Sequence, residues 1–563
     1  MSFPSIPPEH LPPDSSFVKI LGVTYLWVKL PNGDDFYLTQ YGHPFFKHLV
    51  PDKWYNDFEN KWEKQEGSGT VYKIKIKEED GCPIDIVLKY SRVGQDVPGL
   101  DVDNLSDFGT AEFNSPFEEF SLVMEMRNTR YESAGTIYTH KPLGIYIPAE
   151  RVHSDKLGRK EYKFEKKSRM QEIDLDLNRR YLVMYEWVKG IDAVEAAKRI
   201  NMSDEELTHL MLMVDKDLHH KGFRDLDRKP RHIIVRLNKD GNFIKNKNGD
   251  MLYAYIDFEM LQRTPDREQR LKAFRRSDYL KRQRDRFNTY INHDIPPNLK
   301  MVNIFGLDYI YGKVQSTGGS LWVLGRDPVL FDYFLPERWR KTPRKKLSHS
   351  YPVYYTLTKD NIHIVWRVSR LGDKPDLYGF DGKGKQILGY GYNSPFEEFA
   401  IAHTLNAQNI HTIYPRAIYM TGQQTLAMDY MADNRRYESH KHILMPDGTF
   451  VLQKERNYIT LWGHWNGPDE LLAVRDGEFY SGINLALARR SGVISPKMSK
   501  TLLEKQMNRL KQAGITDLNF QPHHYLISLN SKGELVLDSD GLPELRISNM
   551  ELLCKEGDET WNV

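Results

Sequence analysis

The chain has 563 residues, of which 28% are charged and 40% hydrophobic, and its formal net charge is +2. This length predicts two or three globular domains, and the balanced charge excludes a general electrostatic preference for nucleic acid or membranes. Two cysteines cannot build a disulfide framework, and no apolar run reaches the about 18 residues of a transmembrane helix, so we expect a cytoplasmic protein.

The chain begins with a proline-rich stretch that lacks the basic and apolar regions of a signal peptide, which predicts an extended arm. A long internal repeat follows. The tripeptide I-L-G at Ile20 returns as I-F-G at Ile304. The heptapeptide N-S-P-F-E-E-F begins at Asn114 and again at Asn393, at nearly the same separation, which predicts a duplicated domain. The predicted segments are an arm over 1–19, a first copy over 20–290, a linker over 291–303 and a second copy over 304–563.

The first copy contains a glycine turn that is predicted to lie in a hairpin between two strands. Gly67-Ser68-Gly69 precedes the alternating sequence V-Y-K-I-K-I-K, and such a hairpin turn allows backbone amides to approach phosphate. A further strand begins at Ile84 and ends in Lys89. Each feature alone is more typical of an ordinary hairpin and of a solvated edge lysine.

A helix is predicted to begin after Ser115, because an N-cap serine, a proline and a glutamate follow one another in the pattern of a capping box. Glu118 is then occupied by the cap. Glu119 is therefore the better candidate to pair with Lys89, and Glu125 is a weaker one.

Three segments lie between this helix and the stretch F-R-D-L-D-R-K-P-R-H-I-I-V, which begins at Phe223. The basic insertion 154–169 is expected to be a flexible loop. The apolar strand over residues 181–188 suits a hinge between two lobes. A helix over residues 203–221 follows, with Ser203 as its N-cap.

The densest set of candidate catalytic residues lies in F-R-D-L-D-R-K-P-R-H-I-I-V and in the later I-D-F-E. These two stretches supply Asp227, Lys229, His232 and Asp257. Phosphoryl transfer needs one carboxylate to orient the attacking hydroxyl and a second to hold Mg²⁺ on the phosphates, and Asp227 and Asp257 fit these roles. Spacing to the following Lys-Pro favours Asp227 as the base, while Asp225 stays open as the alternative.

Over residues 60–262 the first copy resembles the protein-kinase-like superfamily, and more narrowly the bacterial lipopolysaccharide core heptose and Kdo kinases. It shares with that branch His232 in place of the usual asparagine and Glu259 in place of the glycine after Asp-Phe. The resemblance implies an α+β fold of two tandem bilobal kinase-like domains, each with an antiparallel-sheet N-lobe and a mainly helical C-lobe.

The resemblance also implies a role for each candidate residue. Lys89 would contact the α- and β-phosphates of ATP, and Glu119 would orient it. Asp227 would hold the acceptor hydroxyl, and Lys229 would neutralise charge on the moving phosphoryl group. The metal would be Mg²⁺, or Mn²⁺ because imidazole is a softer ligand than an amide oxygen. The metal ligands would be His232 and Asp257, and the nucleotide contacts would include Gly67, Ser68, Gly69 and Glu186.

The second copy lacks the same set of residues. It has amides in place of both acids and arginine in place of the lysine, and it has no glycine turn. The replacements are Asn519, Asn549 (or, one position earlier, Ser548) and Arg367. The copy is therefore predicted to be a degenerate, pseudokinase-like domain in which the retained Glu398 is structural.

The basic stretch 263–286 is more typical of a solvated helix that bridges the two halves, and the alternative is peripheral contact with the anionic inner face of a membrane. The expected activity is ATP- and Mg²⁺-dependent phosphorylation of a hydroxyl on a glycan or glycolipid, such as a lipopolysaccharide sugar. A protein Ser/Thr/Tyr kinase and a non-catalytic scaffold are the alternatives. Specific nucleic-acid binding is not expected.

Overall fold

The computed structural model describes most of the chain. The described residues are 11–50, 62–65, 70–76, 84–97, 111–128, 137–170, 175–246, 249, 251–288, 295–348, 351–375, 382–425, 432–464, 481–530 and 532–555. The chain divides into two compact units, Met1–Leu271 and Lys272–Val563. Both units are mixed α+β structures that contain a large antiparallel sheet.

The first unit is built on an eight-stranded sheet. The strands of this unit are β1 (Ser15–Ile20), β2 (Val23–Lys29), β3 (Asp35–Leu38), β4 (Trp62–Lys64), β5 (Val71–Ile76), β6 (Ile84–Tyr90), β7 (Tyr138–Thr139), β8 (Pro142–Ile147), β9 (Leu182–Glu186), β10 (Ile191–Asp192), β11 (Phe223–Asp225), β12 (Ile233–Val235), β13 (Tyr253–Tyr255) and β14 (Leu261–Arg263). The large sheet has the order β1-β2-β3-β8-β9-β6-β5-β4, and smaller sheets have the orders β10-β12-β13-β7 and β11-β14. On β5, Ile74 and Ile76 are buried and Lys75 between them is exposed, the alternation expected of a strand with one face on a core.

The first unit also contains helices. They are α1 (Phe46–Leu49), α2 (Pro116–Arg127), α3 (Glu161–Met170), α4 (Ala193–Ile200), α5 (Asp204–His220) and α6 (Pro265–Arg284), the last of which crosses the division of the chain. Ser115 and Ser203 are the N-caps of α2 and α5, as the sequence predicts, and both form complete capping boxes, of which only that of Ser115 was expected.

The basic insertion 154–169 differs from its prediction. A 3-10 turn, Ser154–Leu157, leads into α3 where a flexible loop was expected. The reason is a local anchor: Phe164 is buried, and the Arg159 guanidinium lies 5.0 Å from the centre of its ring.

Helix α2 is the central element of the first unit's core. Phe117, Phe120 and Val123 are fully buried and share one hydrophobic cluster with residues of the sheet and of the segments around β12 and β13. Burial of a phenylalanine side chain stabilises a fold by about 1.5–3 kcal/mol, so α2 ties the sheet firmly to the segment that follows β13.

The second unit repeats this strand order. Its strands are β15 (Leu299–Ile304), β16 (Leu307–Val314), β17 (Gly319–Leu324), β18 (Arg344–Lys346), β19 (Val353–Leu357), β20 (His363–Val368), β21 (Tyr414–Gln424), β22 (Arg456–Gly463), β23 (Ser481–Asn484), β24 (Ile515–Asp517), β25 (Tyr525–Leu529), β26 (Arg546–Ile547) and β27 (Leu553–Lys555). The large sheet has the order β15-β16-β17-β21-β22-β20-β19-β18, which matches that of the first unit strand for strand. The helices are α7 (Pro336–Trp339), α8 (Gly382–Tyr390), α9 (Pro395–Ala407), α10 (Arg435–Ser439), α11 (Leu485–Arg490) and α12 (Pro496–Gln512).

Secondary structure begins earlier than the predicted segment boundaries allow. Strand β1 lies largely within the predicted arm 1–19, and β15 begins inside the predicted linker 291–303. Each of these strands forms the first hairpin of its sheet, since β1 pairs with β2 and β15 pairs with β16. Among the residues that the structure describes, no helix has both the length and the apolar character that a membrane crossing requires.

Candidate functional site

Lys89 lies near the end of β6 with its side chain buried. Its Nζ atom is 2.5 Å from Oδ1 of Asp257 and 3.0 Å from Oε1 of Glu259. Burial alone would favour the neutral amine, but the charges of Asp257 and Glu259 hold the pKa of Lys89 well above its ordinary value. The lysine is therefore a fixed cation at this position.

The helix carboxylate that was expected to orient Lys89 has another partner. Glu119 is buried on α2 and accepts a hydrogen bond of 2.7 Å from the Tyr185 hydroxyl. Burial raises the pKa of Glu119, and the charge of Lys89 opposes that rise, so the two groups interact electrostatically. The structure nevertheless does not bring them within ion-pair distance, because the segment after β13 places two carboxylates closer to the lysine.

Three predicted residues converge beside Lys89. Asp227, His232 and Asp257 each offer a ligand atom, and these atoms lie within 4.8 Å of one another. The elements responsible are β11, which leads to Asp227, the 3-10 turn that contains His232, and β13, which precedes Asp257. The amide of residue 256 donates a 2.9 Å hydrogen bond to the carbonyl of His232, which holds the last two together.

The chemistry of this cluster fits a divalent cation. Two carboxylates and an imidazole form a donor set suited to Mg²⁺ or Mn²⁺. The His232 Nε2 atom is 3.4 Å from Oδ2 of Asp257, while its buried Nδ1 atom has no hydrogen-bond partner within the described structure. Burial alone would raise the pKa of Asp257, but Lys89 and His232 hold it below its usual range, so this carboxylate is ionised.

Asp257 also has an unusual backbone conformation. Its φ angle is +68°, in the left-handed region that non-glycine residues seldom adopt. Backbone strain of this kind concentrates at functional sites.

The two acids of the catalytic stretch occupy different environments. Asp225 is buried, and its oxygens accept hydrogen bonds from the Tyr255 hydroxyl at 2.6 Å and from the Asp227 amide at 3.0 Å. Burial raises the pKa of Asp225 to about 6. Asp227 is partly exposed, and its carboxylate lies 2.8 Å from Nζ of Lys229. Asp227 is thus the acid that an incoming molecule can reach.

The predicted nucleotide contacts are placed only in part. Gly67, Ser68 and Gly69 lie outside the described residues. Glu186 ends β9, and its side chain forms an ion pair of 2.9 Å with Lys141.

Two further residues lie near the site, and the sequence did not predict their contacts there. Nδ1 of the buried His140 lies 2.8 Å from the carbonyl of Glu186, and burial lowers the pKa of His140 to about 4, so its ring is neutral. No motif surrounds it in the sequence. Glu259 was noticed only as a departure from the kinase pattern, and its contact with Lys89 is a tertiary one.

The corresponding place in the second unit is held by a guanidinium. Arg367 on β20 is paired with Glu398, lies 3.5 Å from Glu551, and donates a 3.0 Å hydrogen bond to Asn549. Asn549 thus corresponds to Asp257, while the Ser548 hydroxyl donates to the His524 carbonyl. Within the described part of this unit, no three His, Cys, Asp or Glu side chains form a metal-binding group.

The basic stretch 263–286 is largely neutralised by nearby carboxylates. In the first unit, Arg263 and Arg267 both bind Glu125, the weaker of the predicted partners for Lys89. In the second unit, Arg275 pairs with Asp360, and Arg282 pairs with Asp278 and Asp327. These pairs reduce the positive charge that the stretch can offer to an anionic surface.

Comparison with known proteins adds little to this geometry. No family model matches the chain, and no curated protein matches it. One similar solved structure is that of Rad53 residues 1–466 in complex with AMP-PNP, at 12% identity and a TM-score of 0.18. The alignment covers 43% of this chain and 58% of that chain. A TM-score of this size does not establish a shared fold, so any function must be argued from the site itself.

Proposed function

We propose that the first unit is a kinase that transfers the γ-phosphate of ATP to a hydroxyl group with the help of Mg²⁺ or Mn²⁺. One observation carries this proposal: the acid assigned to the acceptor, Asp227, and the two metal donors, His232 and Asp257, have side-chain atoms within 4.8 Å of one another, beside the buried ammonium of Lys89. A fixed cation and a cation-binding cluster side by side are what a triphosphate requires, because phosphoryl transfer depends mainly on positioning and charge neutralisation.

Each residue then has a defined task. Lys89 binds the α- and β-phosphates, while His232 and Asp257 would hold the metal, which would neutralise charge on the phosphates. Asp227 orients the acceptor hydroxyl and receives its hydrogen bond. The acceptor oxygen gives its proton to Asp227 and forms a bond to the γ-phosphorus, while the bond from that phosphorus to the β-phosphate oxygen breaks and ADP leaves with its electron pair. Lys229 neutralises charge on the transferred group, and its Nζ atom lies 2.8 Å from the Asp227 carboxylate.

The acceptor is proposed to be a glycan or glycolipid hydroxyl, such as a lipopolysaccharide sugar. Support for this class comes from the resemblance of the catalytic stretch to sugar kinases, in particular His232 and Glu259. The second unit is proposed to be a degenerate copy that regulates the first or holds the acceptor. Its support is the matching strand order together with Arg367, Asn519 and Asn549 in place of the catalytic residues.

Nucleotide binding is the first test. ATP with Mg²⁺ or Mn²⁺ is expected to raise the melting temperature of the protein, because a ligand that binds only the folded state stabilises it. Asp257→Ala should abolish the metal dependence of this shift, and Lys89→Ala should weaken the response to nucleotide. Shifts in both variants equal to that of the wild type would contradict the site.

Identification of the acceptor is the second test. Incubation of the protein with γ-labelled ATP and cell fractions should place label in lipid or polysaccharide. Label in protein would instead indicate a protein kinase. No transfer to any fraction, together with no nucleotide-dependent thermal shift, would indicate a non-catalytic scaffold.

A further inference from the structure

Glu259 is a buried carboxylate that the mechanism above does not use. Its Oε1 atom lies 3.0 Å from Nζ of Lys89, and its Oε2 atom lies 3.7 Å from the guanidinium of Arg92. Arg92 is itself held in place, since its guanidinium lies over the ring of Phe113 at 4.1 Å. Glu259 therefore sits between two cations whose positions are defined by packing.

The other two acids near Lys89 are occupied elsewhere. Glu119 accepts the Tyr185 hydroxyl and lies beyond ion-pair distance of Lys89. Asp257 contacts Lys89 but also belongs to the proposed metal site, so its charge is shared between two cations. Glu259 is not a member of that cluster, which leaves its carboxylate to Lys89 and Arg92.

The second unit provides an internal comparison. There the metal-site acid has become Asn549, yet the carboxylate two residues later is kept as Glu551. Glu551 lies 3.5 Å from Arg367, the cation that stands at the place of Lys89. Glu551 is retained although the acid at the position of Asp257 is lost. This carboxylate therefore serves the cation on the strand, Arg367, and not a metal. The longer, forked guanidinium of Arg367 reaches Glu398 as well, which the shorter lysine does not do for Glu119.

Glu259 is also held rigidly from the main chain. The backbone N–H of Asn114 donates a 2.7 Å hydrogen bond to the Glu259 carbonyl, and the Asn114 side-chain amide donates to the carbonyls of Phe258 and Leu261. These bonds join the start of α2 to the segment that follows β13. The Glu259 side chain therefore starts from a fixed backbone.

We infer that Glu259, and not the helix acid Glu119, is the positioning residue that holds Lys89 against the phosphates of bound nucleotide. The inference rests on the proposed function. It places the partner of the lysine on the same segment as the metal-site acid Asp257. The two acids that contact Lys89, Asp257 and Glu259, thereby belong to one segment, and the helix acid Glu119 is not needed to form the lysine's ion pair.

Calorimetric titration of the full-length protein with Mg·ADP, combined with melting temperatures, tests the assignment. Glu259→Gln should raise Kd about tenfold or more, because a charge-assisted contact that orients the lysine is lost. Glu119→Gln should raise Kd less. Glu551→Gln is the matched control, since it removes an equivalent buried carboxylate from the second unit and should lower the melting temperature without changing Kd.

A double-mutant cycle separates positioning from a purely structural role. If Glu259 acts through Lys89, then Glu259→Gln should add little to the loss of affinity in Lys89→Met, because the residue to be positioned is already gone. If Glu259→Gln does not fold, Glu259→Asp is the substitute, because it keeps the charge on a shorter side chain. Its Kd should lie between those of the wild type and Lys89→Met.

Three results would overturn the assignment. They are a wild-type Kd in Glu259→Gln, a greater loss of affinity in Glu119→Gln, and additive losses in the cycle with Lys89→Met. No binding of Mg·ADP by the wild-type protein would instead reject the proposed function, and the assignment with it.

Discussion

Asp225 and Asp227 stand two residues apart but differ in what can reach them. Both oxygens of Asp225 are engaged, by the Tyr255 hydroxyl and the Asp227 amide, whereas Asp227 is open beside Lys229. The second unit supports a structural role for the first acid. Asp517 there accepts the same kind of bonds, from the Asn519 amide at 2.9 Å and the Tyr525 hydroxyl at 2.6 Å, although no catalytic acid follows it.

Substitution of these two acids should therefore have different kinetic results. Asp227→Ala is expected to lower kcat by about 10²–10⁴-fold with nucleotide affinity largely kept, because the proposed role of Asp227 is to act on the acceptor. Asp225→Asn retains the shape and most hydrogen bonds of Asp225 and should lower kcat far less. Steady-state kinetics with the identified acceptor measures both, and the reverse order would make Asp225 the base.

At the scale of elements, the repeated heptapeptide N-S-P-F-E-E-F has a physical explanation. Its asparagine fastens the start of α2 to the segment after β13 through three hydrogen bonds. Asn393 makes the same bonds at the start of α9, to the carbonyls of Met550, Glu551 and Leu553. The next residue of the heptapeptide, serine, caps the helix in both units.

Removal of this asparagine side chain should destabilise either unit but weaken nucleotide binding only in the first. Asn114→Ala removes two buried hydrogen bonds, to the carbonyls of Phe258 and Leu261, at an expected cost of about 0.5–1.5 kcal/mol each in the free energy of unfolding. Asn393→Ala is the control and should cost a similar amount. Chemical denaturation and Mg·ATP titration measure the two effects, and equal loss of nucleotide affinity in both variants would refute the distinction.

At the scale of the whole molecule, the two units share a strand order but differ in the residues at the candidate site. Arg367 and its partners Glu398 and Glu551 occupy the place where the first unit has Lys89 beside Asp257 and Glu259. A buried guanidinium between carboxylates is a structural cluster, and an amide at Asn549 binds a divalent ion poorly beside a triphosphate.

The second unit is accordingly expected to take no part in phosphoryl transfer. Asn519→Ala should leave turnover close to that of the wild type, in contrast to Asp227→Ala at the corresponding position. Arg367→Ala should lower the melting temperature, because it leaves Glu398 and Glu551 buried without their cation. Loss of turnover in a folded Asn519→Ala variant would assign catalysis to the second unit as well.

The sequence by itself determined the features that depend on short-range spacing. Asp227, His232 and Asp257 were identified from their places in the two stretches, and the structure brings them together. The helix caps at Ser115 and Ser203 were predicted correctly, because a capping box involves residues only three apart. The internal repeat was visible as well, since it is a property of the sequence alone, and both units have the same strand order in their large sheets.

Only the tertiary structure decided which groups meet across long stretches of chain. Lys89 and Asp257 are separated by 168 positions, and the choice between Glu119 and Glu259 as the neighbour of Lys89 depends on where α2 and the segment after β13 pack. The choice between Asn549 and Ser548 required the hydrogen bond of Arg367. The helix α3 depended on the burial of Phe164, because a strongly charged sequence lacks the periodicity that would have revealed it.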